Sequence, residues 1–212
     1  MGIPVMVMGE SGSGKTFSLK NFSDCCVFSV EKNRLPFKSN GCKYLPHSTY
    51  ESIGAEWKAG FSHKAYVIDD SQYLLVNEMF DRAKETGYQK FTDLALRFRN
   101  LVHYINQSMP DDVIVYFLHH TEIDSNTGRV KAKTVGKMLD NILTLEGCFD
   151  IVLLTKNEQG RYSFITQSDG YTTCKSPEGM FDKEIPNDLK AVDSAIRSYY
   201  GLKQINKPQE KK

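Results

Sequence analysis

The sequence lacks several features that would assign a protein to a class directly. Its five cysteines form no CxxC pair, so the usual spacing of a zinc site is missing; they are Cys25, Cys26, Cys42, Cys148 and Cys174. Lysine and arginine number 27 against 26 acidic residues, and the net charge of +1 gives no general attraction for a polyanion. A surface that binds nucleic acid would therefore have to be a local patch.

The sequence also has no apolar run long enough to cross a membrane. Its first residues, MGIPVMVMGE, do not carry the basic segment of a signal peptide. Cys25 and Cys26 lie in the apolar stretch CCVFSV and are expected to be buried thiols, which suits a reducing compartment. We therefore expect a cytoplasmic location and no membrane partner.

What the sequence does contain is a glycine-rich loop, GESGSGKT, at residues 9–16. It matches the pattern GxxxxGK[ST], with an apolar run before it and a predicted helix after it. The glycines allow backbone N–H groups to point at phosphate oxygens, while Lys15 reaches the β- and γ-phosphates and Thr16 ligates Mg²⁺. The predicted nucleotide-binding residues are Gly9, Glu10, Ser11, Gly12, Ser13, Gly14, Lys15, Thr16 and Phe17.

An acidic pair supplies the second part of a nucleotide site. Asp69 and Asp70 directly follow the apolar run AYVI, and a carboxylate at the end of a buried strand commonly supports the metal of a nucleotide-hydrolysing enzyme. We predict that Asp69 is the main metal-site carboxylate and that Asp70 shares or takes this role. The alternative is a strand-ending pair that caps the next helix, but the glycine-rich loop favours the metal role. The predicted cofactors are ATP and Mg²⁺.

The hydrophobic pattern predicts an α/β protein. Short apolar runs predict strands at 3–8, 25–30, 64–68, 113–123 and 149–156. Helical spacing predicts helices at 15–21, 53–59, 79–108 (divided near Gly87), 138–146 and 187–201. This alternation predicts a mostly parallel sheet with helices on both faces.

The end of the chain has a different pattern. Residues 160–175 predict an antiparallel hairpin at one edge of the sheet, turning at Asp169-Gly170. We expect one domain of residues 1–201, followed by a charged, disordered tail at 202–212.

Two further positions bear on hydrolysis. Glu31 ends the strand that follows the glycine-rich loop, where a carboxylate can polarise an attacking water; the alternative is an exposed glutamate at a strand end. His120 ends VIVYFLHH, where it can bond a phosphate oxygen or hold the water. The alternative is that His119 and His120 are both satisfied by backbone groups.

This order of parts resembles the RecA-like ATPases. On that resemblance Glu31 corresponds to the catalytic glutamate, and His120 stands where a polar nucleotide sensor, usually glutamine, is found. Residues 124–137, DSNTGRVKAKTVGK, correspond in order to the mobile loop that contacts DNA or a neighbouring subunit, although a solvated loop is the alternative. The basic residues of this segment are Arg129, Lys131, Lys133 and Lys137.

The chain as a whole resembles the small phage-encoded RecA-like and AAA ATP-binding proteins associated with single-strand annealing and recombination. The resemblance rests on GESGSGKT, VEKNRL, VIDDSQYLL, TVGKML and DGYTTCKSPEGMF. It implies a DNA-dependent ATPase in the host-cell cytoplasm, acting as a homo-oligomer on single-stranded DNA with a recombination or single-strand-binding partner. Lys175 is then a candidate contact to DNA or a neighbouring subunit; the alternative is a surface lysine.

Two other functions are compatible with a nucleotide site. A nucleotide-switch accessory or loading factor with little hydrolysis agrees with the near-neutral charge and the histidine at the sensor position. A small nucleotide kinase is less favoured, because its lid would be rich in arginine and the basic segment here has only Arg129 beside its lysines.

Overall fold

The computed structural model describes residues 1–38, 41–135 and 143–205. A single sheet contains the nine described strands, which are β1 (Ile3–Gly9), β2 (Cys26–Ser29), β3 (Lys43–Leu45), β4 (Ala65–Asp69), β5 (Ile114–Ile123), β6 (Val130–Ala132), β7 (Ile151–Glu158), β8 (Arg161–Ile165) and β9 (Glu184–Pro186). The five strands predicted from apolar runs are all present, with ends that differ by at most two residues.

The strand order is β3-β2-β4-β5-β1-β7-β8-β9, and β6 pairs with the end of β5. The pairs from β3 through to β7 are parallel, whereas β8 and β9 are antiparallel. The predicted α/β class, with its mostly parallel sheet and C-terminal antiparallel hairpin, is confirmed. Because β1 and β4 both flank β5, their carboxyl ends lie at the same edge of the sheet, where open α/β sheets bind ligands.

The described residues form four α-helices: α1 (Tyr50–Lys58), α2 (Gln72–Asp81), α3 (Gln89–Ser108) and α4 (Leu189–Tyr199). Helix α1 begins with a capping box between Thr49 and Ser52, and α4 begins where the Asp188 side chain accepts hydrogen bonds from two backbone N–H groups. The helical pattern predicted at 79–108 corresponds to α3 and to the last residues of α2, which begins earlier than predicted, at Gln72. The predicted division near Gly87 is present, and φ there is +89°, which favours glycine.

Two predicted helices differ in the structure. The one after the glycine-rich loop is a single short 3₁₀ helix, Thr16–Asn21. Its length limits the dipole that it can direct at a phosphate. Of the helix predicted at 138–146, residues 138–142 lie outside the described residues, and its end overlaps a 3₁₀ helix at Leu145–Cys148.

The sheet is buried on both faces. Alternate strand residues such as Phe28 and Phe117 pack against α1, α2 and α3, while the intervening residues such as Val7 and Val27 pack against the 3₁₀ helix after β1 and against α4. A strand buried on both faces must be apolar at every position. This is why the sequence showed these strands as continuous apolar runs.

The predicted position of the C-terminal turn was wrong. Strands β7 and β8 pair directly and turn at Gln159 and Gly160, whose φ values of +51° and +86° suit a tight two-residue hairpin. Asp169 and Gly170 form a separate turn, in which the Asp169 carboxylate accepts hydrogen bonds from the N–H groups of Tyr171 and Thr172. No helix within the described ranges combines the length and the apolar composition that a membrane span requires.

Candidate functional site

The glycine-rich loop opens onto a cavity of about 600 Å³ at the carboxyl edge of the sheet. This volume is within the usual range for small-molecule sites. The predicted residues that line it are Ser11, Gly12, Gly14, Lys15, Thr16, Phe17, Glu31, Asp70 and His120. The remaining lining residues were not assigned to the site from sequence; they are Lys32, Arg34, Pro36, Tyr73 and Tyr162.

The loop needs glycine at two positions because other residues approach the backbone closely. A Cβ on Gly9 would lie 1.8 Å from Oγ1 of Thr155, and a Cβ on Gly14 would lie 2.7 Å from the ring of Tyr162. The Ser13 hydroxyl donates to the carbonyl of Glu10 and accepts from Thr155 at 2.6 Å. The loop is therefore fastened to β7, and its shape is fixed before a ligand enters.

Lys15 is folded back into the loop. Its ammonium donates to the carbonyl oxygens of Gly9 (2.7 Å) and Glu10 (2.8 Å). Burial lowers the pKa of Lys15 to about 8, so the group is still mostly charged at neutral pH. A phosphate that entered the loop would compete with these two carbonyls for the ammonium.

Asp69 lies beside Thr16, which lines the cavity. The Thr16 hydroxyl donates to Oδ1 of Asp69 at 2.9 Å, although 53 residues separate them in sequence. Asp69 is fully buried, and burial raises the pKa of its carboxyl to about 6. A hydroxyl and a carboxylate thus meet at the edge shared by β1 and β4.

Asp70 is held by Lys32 and His120 rather than by Thr16. Its backbone is left-handed, with φ of +60°, which is uncommon for a non-glycine residue and occurs more often at functional sites. Oδ2 lies 2.8 Å from Nζ of Lys32, and Oδ1 lies 3.3 Å from Nε2 of His120. Burial alone would raise the pKa of Asp70, but His120 and Lys32 outweigh it and the pKa falls to about 2.

Glu31 lines the cavity but is exposed, and it is held by α2. The Asn77 side-chain amide donates to Oε1 of Glu31 at 2.9 Å. The structure therefore places Glu31 beside the cavity with one oxygen already engaged. Its role with an attacking water stays a prediction.

The two histidines of β5 differ in their surroundings: His119 is buried, whereas His120 lines the cavity. His119 is fully buried; its Nε2 donates to the carbonyl of Lys133 at 2.8 Å, which leaves Nδ1 to accept from the Ser71 hydroxyl at 2.9 Å. Burial lowers the pKa of His119 to about 4, so the ring is neutral at pH 7. His120 instead faces the cavity, with its ring edge against Tyr73.

The basic segment is more ordered than predicted. Residues Thr121–Ile123 of β5 pair with β6 (Val130–Ala132), so a β-hairpin replaces much of the expected loop. Lys131 pairs with Glu122 (3.2 Å) and Asp124 (3.8 Å). Arg129 and Lys133 are exposed.

The two other predicted lysine contacts are not part of this hairpin. Lys137 lies outside the described residues. Lys175 is half-buried, and its backbone pairs in both directions with Val152 in β7. Lys175 is not among the residues that line the cavity described above, and its contact with DNA or a neighbouring subunit stays a prediction.

These residues fit a nucleotide phosphate chain and a divalent cation. The close approaches at Gly9 and Gly14 leave no room for a side chain at either position, and phosphate-binding loops present backbone N–H groups to the ligand. Thr16, Asp69 and Asp70 supply the oxygen atoms that Mg²⁺ prefers. The ammonium of Lys32 lies among these three side chains, so the position already accepts a positive charge.

No protein-family model matches the sequence, and no curated protein matches it. Solved structures do match the fold. The comparison shows the RecA-like P-loop fold, which the sequence had predicted.

One matching structure is that of a DnaB-like replicative helicase, described together with its interactions with primase. Its TM-score is 0.51 at 14% sequence identity, and the match covers 77% of this chain and 51% of the helicase chain. The protein thus spans about half the length of that helicase chain, and at this identity the likeness is one of fold.

Proposed function

We propose that the protein binds and hydrolyses ATP with Mg²⁺. The observation that carries the proposal is the hydrogen bond from Thr16 to Asp69 at the base of a preformed glycine-rich loop. It brings the hydroxyl of GESGSGKT to the carboxylate of AYVIDD, as metal-assisted phosphoryl transfer requires. Lys15 lies in the same cavity and supplies the positive charge.

Each residue has a distinct task in this proposal. The loop N–H groups and Lys15 hold the phosphates, while Thr16 and Asp69 hold the metal, directly or through water. Bound Mg²⁺ would neutralise charge that develops on the phosphate oxygens. Glu31 orients the attacking water after leaving Asn77, and His120 contacts the terminal phosphate.

We propose further that this ATPase acts on single-stranded DNA as a homo-oligomer, in phage recombination or single-strand annealing, with a recombination or single-strand-binding partner. The sequence resemblance supports this, and so does the fold shared with a replicative helicase. The structure offers Arg129 and Lys133 as exposed cations on one hairpin.

ATP hydrolysis is tested by phosphate release from the purified protein, with and without single-stranded DNA. We expect release to be stimulated by DNA and lost in Lys15→Ala, whose ATP affinity should fall at least about tenfold because charged hydrogen bonds to phosphate are lost. Lys58→Ala, which removes an exposed lysine of α1, is the matched control. If Lys15→Ala releases phosphate as fast as Lys58→Ala does, the proposal is wrong.

DNA binding is tested with the double variant Arg129→Ala/Lys133→Ala. If both side chains contact phosphates, the slope of log affinity against log salt concentration should become shallower by roughly 1.4, since each contact on a single strand contributes about 0.7. Fluorescence anisotropy with a labelled oligonucleotide measures this slope. Lys131→Ala is the control and should change it less, because Glu122 already pairs with Lys131. An unchanged slope in the double variant would exclude this hairpin as a DNA contact.

A second candidate function, a nucleotide switch with little hydrolysis, is favoured by one contact. Asn77 holds Glu31 at 2.9 Å. If this bond persists after ATP binds and keeps the Glu31 carboxylate away from the attacking water, ATP would be held without being cleaved. ATP binding without phosphate release, in the presence and absence of DNA, would select this function over the first.

A further inference from the structure

Lys32 occupies an unusual place at the base of the cavity. Its ammonium lies 2.8 Å from Oδ2 of Asp70, 3.2 Å from Oγ1 of Thr16 and 3.9 Å from Oδ2 of Asp69. The proposed function assigns Thr16 and Asp69 to the divalent cation, and Asp70 is the acidic neighbour of Asp69. The lysine thus puts a positive charge among the same oxygen atoms.

The position of Lys32 follows from the sheet and is held on two sides. Strands β2 and β4 are parallel neighbours with Ser29 opposite Asp69, so the chain that leaves β2 passes the end of β4. The N–H of Lys32 donates to the Ser29 hydroxyl at 3.2 Å, and the Tyr44 hydroxyl donates to its carbonyl at 2.9 Å. These bonds fix the backbone, while the side chain is partly exposed to solvent.

We propose that Lys32 is a built-in competitor for the divalent cation. Its ammonium neutralises the acidic pair while no metal is bound, and it leaves when the metal arrives. The proposal rests on the proposed function, because it takes Thr16 and Asp69 as metal-binding side chains.

The Lys32 ammonium and a divalent cation cannot contact these oxygens at the same time. Mg²⁺ binds oxygen at about 2.0–2.1 Å with strict octahedral geometry, and an ammonium within hydrogen-bonding distance of the same atoms would repel it. Lys32 also lines the adjacent cavity, so its side chain has space to move away from these oxygens. Charged hydrogen bonds of ordinary strength keep the ammonium on these oxygens roughly nine-tenths of the time. The site is then free for about one-tenth of the time, so the apparent metal affinity should be about tenfold weaker.

The test measures binding of Mn²⁺ alone, without nucleotide, by electron paramagnetic resonance of the free ion. Lys32→Met should bind Mn²⁺ about tenfold more tightly than wild type. Lys32→Arg keeps the charge and should resemble wild type. Lys43→Met is the matched control, because Lys43 is equally exposed and pairs with Glu56 away from the cavity; its Mn²⁺ affinity should not change. Equal affinities in Lys32→Met and wild type would overturn the proposal.

A second measurement needs no variant. Reductive methylation of the wild-type protein, followed by mass spectrometry, reports how accessible each lysine is. Methylation of Lys32 should become faster when excess Mg²⁺ replaces a chelator, while that of Lys43 stays constant. If the rate at Lys32 does not respond to Mg²⁺, the lysine is not displaced and the proposal fails.

Neither measurement involves ATP. A protein that shows the metal-dependent changes at Lys32 but binds no ATP would disprove the proposed function and leave the competition intact. If the protein binds ATP but neither the methylation rate of Lys32 nor the Mn²⁺ affinity of Lys32→Met changes, the competition is disproved and the proposed function stands.

Discussion

Replacing Arg197 with methionine is expected to lower the free energy of unfolding by about 3–5 kcal/mol, because it leaves a buried carboxylate without its main partner. Arg197 and Asp193 are both fully buried in α4, and Nε of Arg197 donates to Oδ2 of Asp193 at 2.8 Å. The guanidinium also donates to the carbonyls of Asp112 and Lys64, at 2.8 Å each. It therefore ties α4 to the chain just before β5 and β4.

Thermal unfolding measures this effect, and a decrease in Tm of roughly 10 °C is expected for a chain of this size. The matched variant is Arg197→Met/Asp193→Asn, which removes the unpaired charge but keeps an acceptor for the Tyr116 hydroxyl, 3.0 Å from Oδ1. It should regain more than half of the loss. Lys190 lies 3.4 Å from Asp193 and can partly replace Arg197 as its partner. Loss of a surface ion pair lowers Tm by about 1–2 °C. If the Tm of Arg197→Met is lower than that of wild type by no more than this, Lys190 compensates fully and the prediction is wrong.

The parts of the site that the sequence could predict are those that depend on neighbouring residues. The loop at 9–16 takes its shape from its own glycines, and β1 and β4 are apolar at every position because both of their faces are buried. Asp69 was placed at the carboxyl edge by the same reasoning. Its contact with Thr16 then follows from parallel strands that end at one edge.

The role of Lys32 could not be predicted, because it depends on the strand order. Nothing local to VEKNRL indicates that β2 lies directly beside β4, and the ammonium meets Asp70 only through that pairing. Tyr162 was missed for the same reason, since β8 reaches the loop at Gly14 through the sheet. The burial of Arg197 could not be predicted from the sequence either, because its partners come from distant parts of the chain.

The misplaced turn shows how a strong local signal can mislead. Asp169-Gly170 is a typical hairpin dipeptide, and it does form a turn, but the strand before it ends at Ile165. The hairpin turns instead at Gln159-Gly160, where glutamine adopts a positive φ. Five register pairs between β7 and β8 hold that position, so tertiary pairing outweighs the turn preference of one residue.

Three charged groups of the candidate site have internal partners. Lys15 is held by two loop carbonyls, Asp70 by Lys32 and His120, and Glu31 by Asn77. Binding of a metal nucleotide would therefore exchange these contacts for new ones. On the proposals made above, the exchange at Glu31 would decide between hydrolysis and a nucleotide switch, and the exchange at Lys32 would set the metal affinity.

His119→Gln is expected to make the stability of the protein less sensitive to acid. The pKa of His119 is about 4 in the folded protein, because of burial, against about 6.5 in the unfolded chain. Between these values the unfolded state binds more protons, so the free energy of unfolding falls as the pH drops below 6.5, and the loss is complete below 4. From pH 7 to pH 5, His119 alone should cost about 2 kcal/mol.

The measurement is the decrease in Tm between pH 7 and pH 5, which should be smaller in His119→Gln by roughly 6 °C. Glutamine can still donate to the Lys133 carbonyl and accept from Ser71, so the packing at pH 7 is largely kept.

Asp69 has the opposite effect on stability. Its pKa is raised to about 6, so the native state gains stability as the carboxyl protonates. This contribution is common to wild type and His119→Gln and cancels in the comparison. His47→Gln, which removes an exposed histidine, is the control variant. Equal decreases in wild type and His119→Gln would mean that the ring accepts a proton without losing its place between Ser71 and Lys133.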